Sequence, residues 1–255
     1  MITFLKPKEQ HQHPNGGGWV ANTATVAASA FVGRDARVYG DARVSGSARV
    51  SDNAWVSDNA QLSGNAQVSG SARVYGDAQV SGSARVSDNA QVHGDAWVFG
   101  YAWVYGDARV SDNAQVFGNV WVYGNARVSG NARVSGDAQV SGIVWVYGNA
   151  WVYGDARVYG NARVSGNARV SGDAQVSGSA WKTSPLYIQG SKHGLTNSAY
   201  GYLNIGCIKL PFSEWKKQYK EIGKEQNYTP AQIKEYGKFI ALATTLGRNK
   251  TYGKA

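Results

Sequence analysis

A six-residue period runs through the middle of the chain and restricts its fold more than any other feature. From Val20 to Val176 every sixth residue is valine, except Leu62, and the residue four places later is alanine, except Val120 and Val144. No residue is inserted or deleted in this stretch. A period this strict indicates a repeat architecture, in which one short unit is stacked many times.

The residue types within the unit predict a coil with flat sides. Successive side chains of a strand point to opposite faces, so the alanine and valine of each Ala-x-Val-x segment face inward and the x residues face outward. The Gly-Asp, Gly-Asn and Asp-Asn pairs that follow favour tight turns. The segment Arg127–Gly142 recurs unchanged as Arg163–Gly178, 36 positions on, which fits coils of three units or 18 residues. We therefore predict nine coils of parallel strands, about 40 Å long in total at ~4.8 Å per coil.

This unit resembles the hexapeptide repeat of left-handed parallel β-helices, in which an aliphatic residue is followed four places later by a small one. The resemblance covers residues 20–181 and implies an all-β solenoid whose left hand rests on the resemblance alone. The family is best known for trimeric acyltransferases, which implies a homotrimer. The start Gly16–Val20, the regular units and Ile205–Cys207 also resemble phage- and prophage-encoded hexapeptide proteins, which carry transferase labels through repeat similarity alone. A shared fold does not establish a shared function.

The chain divides into three segments. We predict an N-terminal cap at residues 1–19, the β-helix at 20–181 and a small basic α+β module at 182–255. A solenoid exposes apolar core at both ends, and Phe4 and Leu5 are available to cover the first coil. The repeat breaks at Lys182, where a valine is due.

The C-terminal segment carries mixed signals. Leu186–Ile188 and Tyr200–Leu210 are typical of strands, and a helix is predicted to follow with Ser213 as its N-cap. Thr229–Gln232 has the pattern of a capping box that begins a second helix, with Gly247 at its end. Residues 248–255 are predicted to be a frayed basic tail.

Charge and cysteine content exclude several function classes. The net charge is +9, but residues 20–181 hold 12 Arg and 12 Asp with no Lys or Glu, so the excess belongs to the C-terminal segment. This argues against a nucleic-acid groove along the solenoid. The single cysteine, Cys207, excludes an internal disulfide and a multi-cysteine metal site. We expect no metal and no cofactor. The chain also lacks a long apolar run and a secretory N-terminus, so we expect a cytoplasmic protein without membrane association.

Candidate catalytic residues are few. His93 is the one histidine of the repeats and occupies an outward position that is usually serine. It is a weak candidate for the general base of an acyltransferase-like site between subunits. Cys207, with His193 in the same module, is a second weak candidate, although its apolar neighbours favour a buried thiol that packs as a small hydrophobe. We therefore favour a non-catalytic protein.

Outward aromatic residues are the more informative candidates. If residues 18 apart stack, Trp103 lies over Trp121, and two further pairs form in the same way. A second group follows near Trp145. The proposed ligand or interface residues are Trp97, Phe99, Trp103, Tyr105, Phe117, Trp121, Tyr123, Trp145, Trp151 and Tyr153, with Tyr101, Tyr147 and Tyr159 beside them. Three uses remain open, namely trimer contacts, a stacking platform for a base, nucleotide or sugar, and ladders that only stabilise the sheet.

Two sets of basic residues complete the candidates. Arginines recur at one coil position, where they are expected to be solvated and paired with nearby aspartates; they are Arg37, Arg73, Arg109, Arg127 and Arg163. Lysines cluster on the first predicted helix as a partner-binding surface, with a protein partner favoured over nucleic acid; they are Lys216, Lys217, Lys220 and Lys224. The sequence thus favours a binding scaffold. The resemblance to phage proteins implies that it is phage-encoded and acts on a host system, either by binding a host protein or by sequestering a small nucleotide-like ligand. The alternative is an acyltransferase-like enzyme with a site near His93.

Overall fold

Each six-residue unit forms one short strand and one turn, and three units complete one coil of a parallel β-solenoid. The computed structural model describes residues 9–177, 180–181, 185–199 and 201–246. Consecutive units lie on three different sheets, which we call faces 1, 2 and 3. Within a face, the strands of successive coils pair in parallel with residues 18 apart, except at the two ends of face 1. The nine predicted coils are confirmed.

The strands of the three faces are short and evenly spaced. Face 1 contains Gln10–Gln12, Trp19–Ala21, Arg37–Val38, Trp55–Val56, Arg73–Val74, Gln91–Val92, Arg109–Val110, Arg127–Val128, Trp145–Val146, Arg163–Val164 and Ala180–Trp181. Face 2 contains Thr25–Val26, Arg43–Val44, Gln61–Leu62, Gln79–Val80, Trp97–Gly100, Gln115–Gly118, Arg133–Val134, Trp151–Val152 and Arg169–Val170. Face 3 contains Phe31–Val32, Arg49–Val50, Gln67–Val68, Arg85–Val86, Trp103–Val104, Trp121–Gly124, Gln139–Gly142, Arg157–Tyr159 and Gln175–Ser177.

The core is a stack of alanine and valine side chains, as the alternation predicts. Ala108 and Val110 are both 0% exposed, and the equivalent residues of the other inner coils are buried in the same way. Backbone hydrogen bonds join successive coils; Arg109 N donates to Ala126 O at 2.8 Å and Ser111 N donates to Val128 O at 2.9 Å. Because every coil repeats these contacts, the outward positions form straight columns of side chains along each face.

From residue 40 to residue 172, one position in each turn has a left-handed backbone, and it is occupied by glycine or aspartate. Asp52, Asp58, Asp88 and Asp112 occupy it with φ between 55° and 59°. Each of these carboxylates accepts a hydrogen bond from the backbone N–H of the glycine one coil later, for example Gly106 N to Asp88 Oδ2 at 3.0 Å. This bond gives aspartate a local reason to adopt a conformation that most side chains resist.

The first coil is covered by a strand that runs against the others. Gln10–Gln12 pairs antiparallel with Trp19–Ala21, and His13 N donates to Gly18 O at 2.8 Å in the turn between them. Phe4 and Leu5, predicted to cover this end, lie outside the described residues. The observed cover is therefore backbone pairing along the edge of face 1.

The C-terminal module contains a four-stranded antiparallel sheet. Its strands are Tyr187–Gln189, Gly194–Ala199, Tyr202–Ile205 and Ile208–Pro211, paired in that order. The predicted strand at 200–210 is therefore wrong in detail, because Gly206 and Cys207 form a two-residue turn inside it, with Gly206 at φ 57°. The strand Gly194–Ala199 was missed, since its buried residues are largely polar.

Two helices pack on this sheet. Helix α1 spans Phe212–Glu225 and helix α2 spans Pro230–Leu246. The N-cap of α1 is Pro211, not the predicted Ser213, and its side chain makes no cap hydrogen bond. The capping box of α2 is confirmed, since Thr229 N donates to Gln232 Oε1 at 2.9 Å and Gln232 N donates to Thr229 Oγ1 at 3.2 Å. Gly247 and the predicted tail at 248–255 lie outside the described residues.

Polar contacts join the module to the last coil. The Gln175 side chain donates to Gly206 O at 3.2 Å and accepts from Asn204 Nδ2 at 3.0 Å, and Lys209 Nζ donates to Ser177 Oγ at 2.7 Å. Tyr187 packs against the solenoid core. The upper end of the coil is thus covered by a sheet that hydrogen-bonds to it.

Candidate functional site

Four aromatic side chains form a square on face 3, two on each of two consecutive coils. Trp103 and Tyr105 lie on one coil with ring centroids 5.0 Å apart, and Trp121 and Tyr123 occupy the same positions one coil later. Trp103 and Trp121 meet edge to face at 5.9 Å, and Tyr105 and Tyr123 stack nearly parallel at 5.0 Å. These are the pairings that the 18-residue spacing predicts. We call these four residues the aromatic square.

The aromatic square is open to solvent and has apolar neighbours. Trp121 is 43% exposed, and Tyr101, which lies two residues before Trp103 in the chain, is 71% exposed. Two residues of the preceding coil hold Trp103 in place. Its indole N–H donates to Ser87 Oγ at 3.3 Å, and the Arg85 guanidinium lies 5.8 Å from its ring centroid. The square is therefore a pre-positioned apolar surface on a sheet that cannot easily deform.

The remaining candidate aromatics do not form one cluster. Phe99 and Phe117 stack at 4.9 Å on face 2, as predicted, and Trp97 lies on the same face. The predicted second group is dispersed over all three faces. Trp145 lies on face 1 and Trp151 on face 2, and Tyr147 and Tyr153 directly follow their respective strands. Tyr159 belongs to face 3. Residues six apart are close in sequence but belong to different sides of the coil.

Arginines lie on tryptophan rings rather than standing alone in solvent. On face 1, the guanidinium groups of Arg37 and Arg73 lie 5.5 and 5.3 Å from the ring centroid of Trp55, one on the coil before it and one on the coil after it. Trp145 lies between two arginines in the same way. On face 2, Trp151 has two arginine neighbours as well. These tryptophans already have cationic partners on both sides.

His93 lies in a shallow groove on face 1. Its ring stacks on Tyr75 with centroids 4.8 Å apart, and the groove, of about 280 Å³, is also lined by Arg109, Asp112 and Arg127. Burial lowers the pKa of the His93 imidazole below its ordinary value; the carboxylate of Asp112 opposes this shift and the guanidinium of Arg109 adds to it. The lowered pKa favours a neutral imidazole near pH 7, which can accept a proton.

The four lysines of α1 are exposed, but two of them have acidic neighbours. Lys217 Nζ lies 3.3 Å from Glu214 Oε1, and Lys224 Nζ lies 3.0 Å from Glu221 Oε1. Lys216 and Lys220 are exposed as well. Trp215, which precedes Lys216 in the chain, is buried against the sheet and donates to Leu203 O at 2.9 Å. The lysine surface is therefore polar, without an exposed tryptophan.

Cys207 is exposed, so the prediction of a buried thiol is wrong. The reason is the tight turn at Gly206 and Cys207, which lifts the side chain out of the sheet. Cys207 and His193 do line the same cavity, of about 200 Å³, between the sheet and the two helices. No sequence pattern predicts this cavity, because its walls are largely ordinary apolar residues of separate elements.

Among the described residues, no group of three His, Cys, Asp or Glu side chains could hold a metal ion. Neither of the two described helices is long and apolar enough to cross a membrane.

Comparison with protein families finds the YdcK Beta solenoid repeat. Its model matches at residues 36–52, 60–76, 66–82, 78–94, 108–124, 126–142, 150–164, 156–168 and 162–178. A comparison with curated proteins returned no match. All the matched segments lie within the solenoid, which is built from six-residue units.

Solved structures with some similarity are acyltransferases. The chain is 14% identical to the UDP-N-acetylglucosamine O-acyltransferase of Moraxella catarrhalis, with 63% of this chain and 67% of that chain covered and a TM-score of 0.32. It is 12% identical to the Francisella novicida UDP-N-acetylglucosamine acyltransferase, with 89% and 75% covered and a TM-score of 0.38. The Arabidopsis enzyme of the same name gives 10% identity, 98% and 86% coverage and a TM-score of 0.28. Sequence identities and TM-scores this low do not assign an activity or a substrate to this chain.

Proposed function

We propose that this protein is a non-catalytic scaffold that acts by binding other protein chains, with the aromatic square as its contact surface. The observation that carries the proposal is the exposed Trp121, held beside Trp103, Tyr105 and Tyr123 on a rigid face. Tryptophan and tyrosine dominate the energetics of protein interfaces, and little side-chain freedom remains to be lost when such residues are already packed on one side.

The spacing of the rings favours a protein over a nucleotide-like ligand. A base inserted between two parallel rings needs about 7 Å between them, since each aromatic stack takes roughly 3.5 Å. Tyr105 and Tyr123 are 5.0 Å apart, and the inter-coil hydrogen bonds fix that distance. The square therefore presents ring edges and flanks to a broad surface, and no slot for a base.

We propose that the main binding partner of the aromatic square is a second copy of the same chain. A face that repeats every coil is suited to contact the same face, or a neighbouring one, of an identical solenoid, and closed rings are the usual form of such assemblies. We therefore propose a homotrimer, with the lysines of α1 left exposed for a further protein partner. From the sequence resemblance we also propose a phage-encoded protein that acts on a host system by binding.

The test uses substitutions that the repeat itself already tolerates. The square variant combines Trp103→Gln, Trp121→Gln, Tyr105→Ser and Tyr123→Ser, because Gln139 and Ser141 fill the same two positions one coil later. Native mass spectrometry and light scattering are expected to show a trimer for the natural protein and a monomer for the variant, with the melting temperature changed by a few degrees at most.

The control replaces aromatics that already have partners within their own chain. Trp151→Gln with Tyr153→Ser removes equivalent side chains from face 2 and is expected to leave the trimer intact. A natural protein that is monomeric, or a square variant that still forms the trimer, contradicts the proposal.

The second candidate function is the acyltransferase-like enzyme, and the groove at His93 is the observation that favours it. A partly buried, neutral imidazole beside the arginines of the groove has the chemistry of a general base. The Tyr75 ring that stacks on it covers one side of the imidazole. His93→Ser restores the residue type usual at this position; loss of a measurable acyl transfer with an unchanged fold would support the enzyme over the scaffold.

A further inference from the structure

The C-terminal module contains an apolar cavity that the scaffold function does not use. It has a volume of about 200 Å³ and lies where α1 and α2 meet the antiparallel sheet. Its floor consists of buried side chains, among them Ile205, Trp215 and Ile240, and its outer side is formed by the exposed residues His193 and Cys207. A cavity of ~150 Å³ with such a lining already binds benzene in other proteins.

Tight helix contacts keep the cavity open. A Cβ added at Gly223 would lie 2.8 Å from Ile233 Cγ1, and one added at Gly237 would lie 2.8 Å from Tyr219 Cε2. The two helices therefore already touch at these positions and cannot move closer together there to fill the space. The void belongs to a well-packed arrangement and is not a sign of loose packing.

The two deeply buried polar side chains of the lining, Tyr236 and Trp215, already have hydrogen-bond partners. The Tyr236 hydroxyl donates to His193 O at 2.6 Å and accepts from Lys192 N at 3.2 Å, and the Trp215 indole donates to Leu203 O at 2.9 Å. Burial is the main cause that raises the pKa of Tyr228 to about 12, and the neighbouring Tyr236 and Cys207 contribute less. This hydroxyl is therefore neutral at pH 7. The inner wall therefore offers an occupant no charge and little unused hydrogen bonding.

We infer that this cavity is a binding site for a compact apolar molecule of about ten non-hydrogen atoms that carries one hydrogen-bonding group. The volume sets the size of the molecule, and the satisfied inner wall requires an apolar body. The single polar group of the ligand then faces the exposed side of the cavity, where the imidazole of His193 and the thiol of Cys207 lie. An aromatic heterocycle with one N–H is the simplest molecule of this class.

Cys207 makes the site measurable because it is the only cysteine in the chain. A molecule in the cavity covers this thiol and slows its alkylation by N-ethylmaleimide. With indole as the probe, we expect the rate to fall by about tenfold at a concentration roughly ten times the dissociation constant. Imidazole, which has the polar ring without the apolar one, is expected to leave the rate unchanged.

A variant that fills the cavity separates binding there from binding elsewhere. Ile222→Phe adds volume at the cavity wall, whereas Leu242→Phe adds the same ring on an exposed part of α2, where Leu242 is 48% exposed. Indole is expected to protect Cys207 in the natural chain and in the Leu242 variant, but not in the Ile222 variant. Ile208→Phe, at a partly buried residue of the same lining, serves this purpose if the Ile222 variant fails to fold.

The contrary results are equally definite. No protection by indole at millimolar concentration, or equal protection in the natural and the filled proteins, overturns the inference. The trimer is measured separately, so failure of the aromatic square and failure of the cavity cannot be confused.

Discussion

Replacement of Asp88 tests whether the left-handed turn position is stabilised by the inter-coil hydrogen bond. Asp88 has φ 59° and accepts from Gly106 N at 3.0 Å. In Asp88→Ala, an alanine must hold a left-handed backbone at a cost of ~1 kcal/mol. The lost hydrogen bond to a carboxylate adds about 1 kcal/mol at this exposed site, near the low end of such bonds. We therefore expect Asp88→Ala to lower the free energy of unfolding by about 2 kcal/mol.

The comparison with Asp88→Gly separates the two contributions. Glycine accepts the left-handed backbone, so this variant loses only the hydrogen bond and is expected to be destabilised by about 1 kcal/mol. Urea unfolding followed by circular dichroism measures both; with an m-value of ~3 kcal/mol/M, 2 kcal/mol corresponds to a midpoint shift of roughly 0.7 M. Hydrogen exchange at the Gly106 amide should accelerate in both variants. Equal destabilisation by alanine and glycine would refute the role of backbone conformation.

Three further predictions concern other parts of the chain. Burial lowers the folded-state pKa of His93 below its unfolded value near 6.5, so its contribution to stability is present above pH 6.5 and is lost as the pH falls through the lowered pKa. The natural protein should therefore lose more stability than His93→Ser between pH 7 and 5 in thermal melts. Trp55→Gln, which removes the ring between Arg37 and Arg73, should cost about 1–2 kcal/mol in urea unfolding. Thr229→Ala should cost ~1 kcal/mol, and faster exchange of the first amides of α2 would locate the loss.

The solenoid could be predicted from the sequence because its contacts repeat with the sequence period. Each valine meets the valine 18 residues away, so the pairing of Trp103 with Trp121 follows from counting alone. The same counting separates Trp145 from Trp151, since six residues advance the chain to the next face. Closeness in sequence therefore does not bring these two tryptophans together in the fold.

The C-terminal module could be predicted only in part, because its contacts have no period. The strand Gly194–Ala199 buries Thr196, Asn197 and Ser198, which sequence patterns assign to loops. Asn197 Nδ2 donates to Ala199 O at 2.9 Å and to Tyr202 O at 3.0 Å, so its burial is compensated by hydrogen bonds. The position of Cys207 and the cavity beside it depend on the hairpin turn and on two helices from different parts of the chain.

The antiparallel strand Gln10–Gln12 determines where the solenoid stops. Every other strand of face 1 runs in one direction and could accept another parallel strand beyond the first coil. Because Gln10–Gln12 turns back along that edge, an identical molecule meets a short polar ribbon in the wrong orientation for continuing the coil. The regularity that makes the core easy to build would otherwise allow growth end to end into fibres. The short antiparallel strand thus opposes end-to-end polymerisation at this edge of face 1, although the repeats themselves are nearly identical.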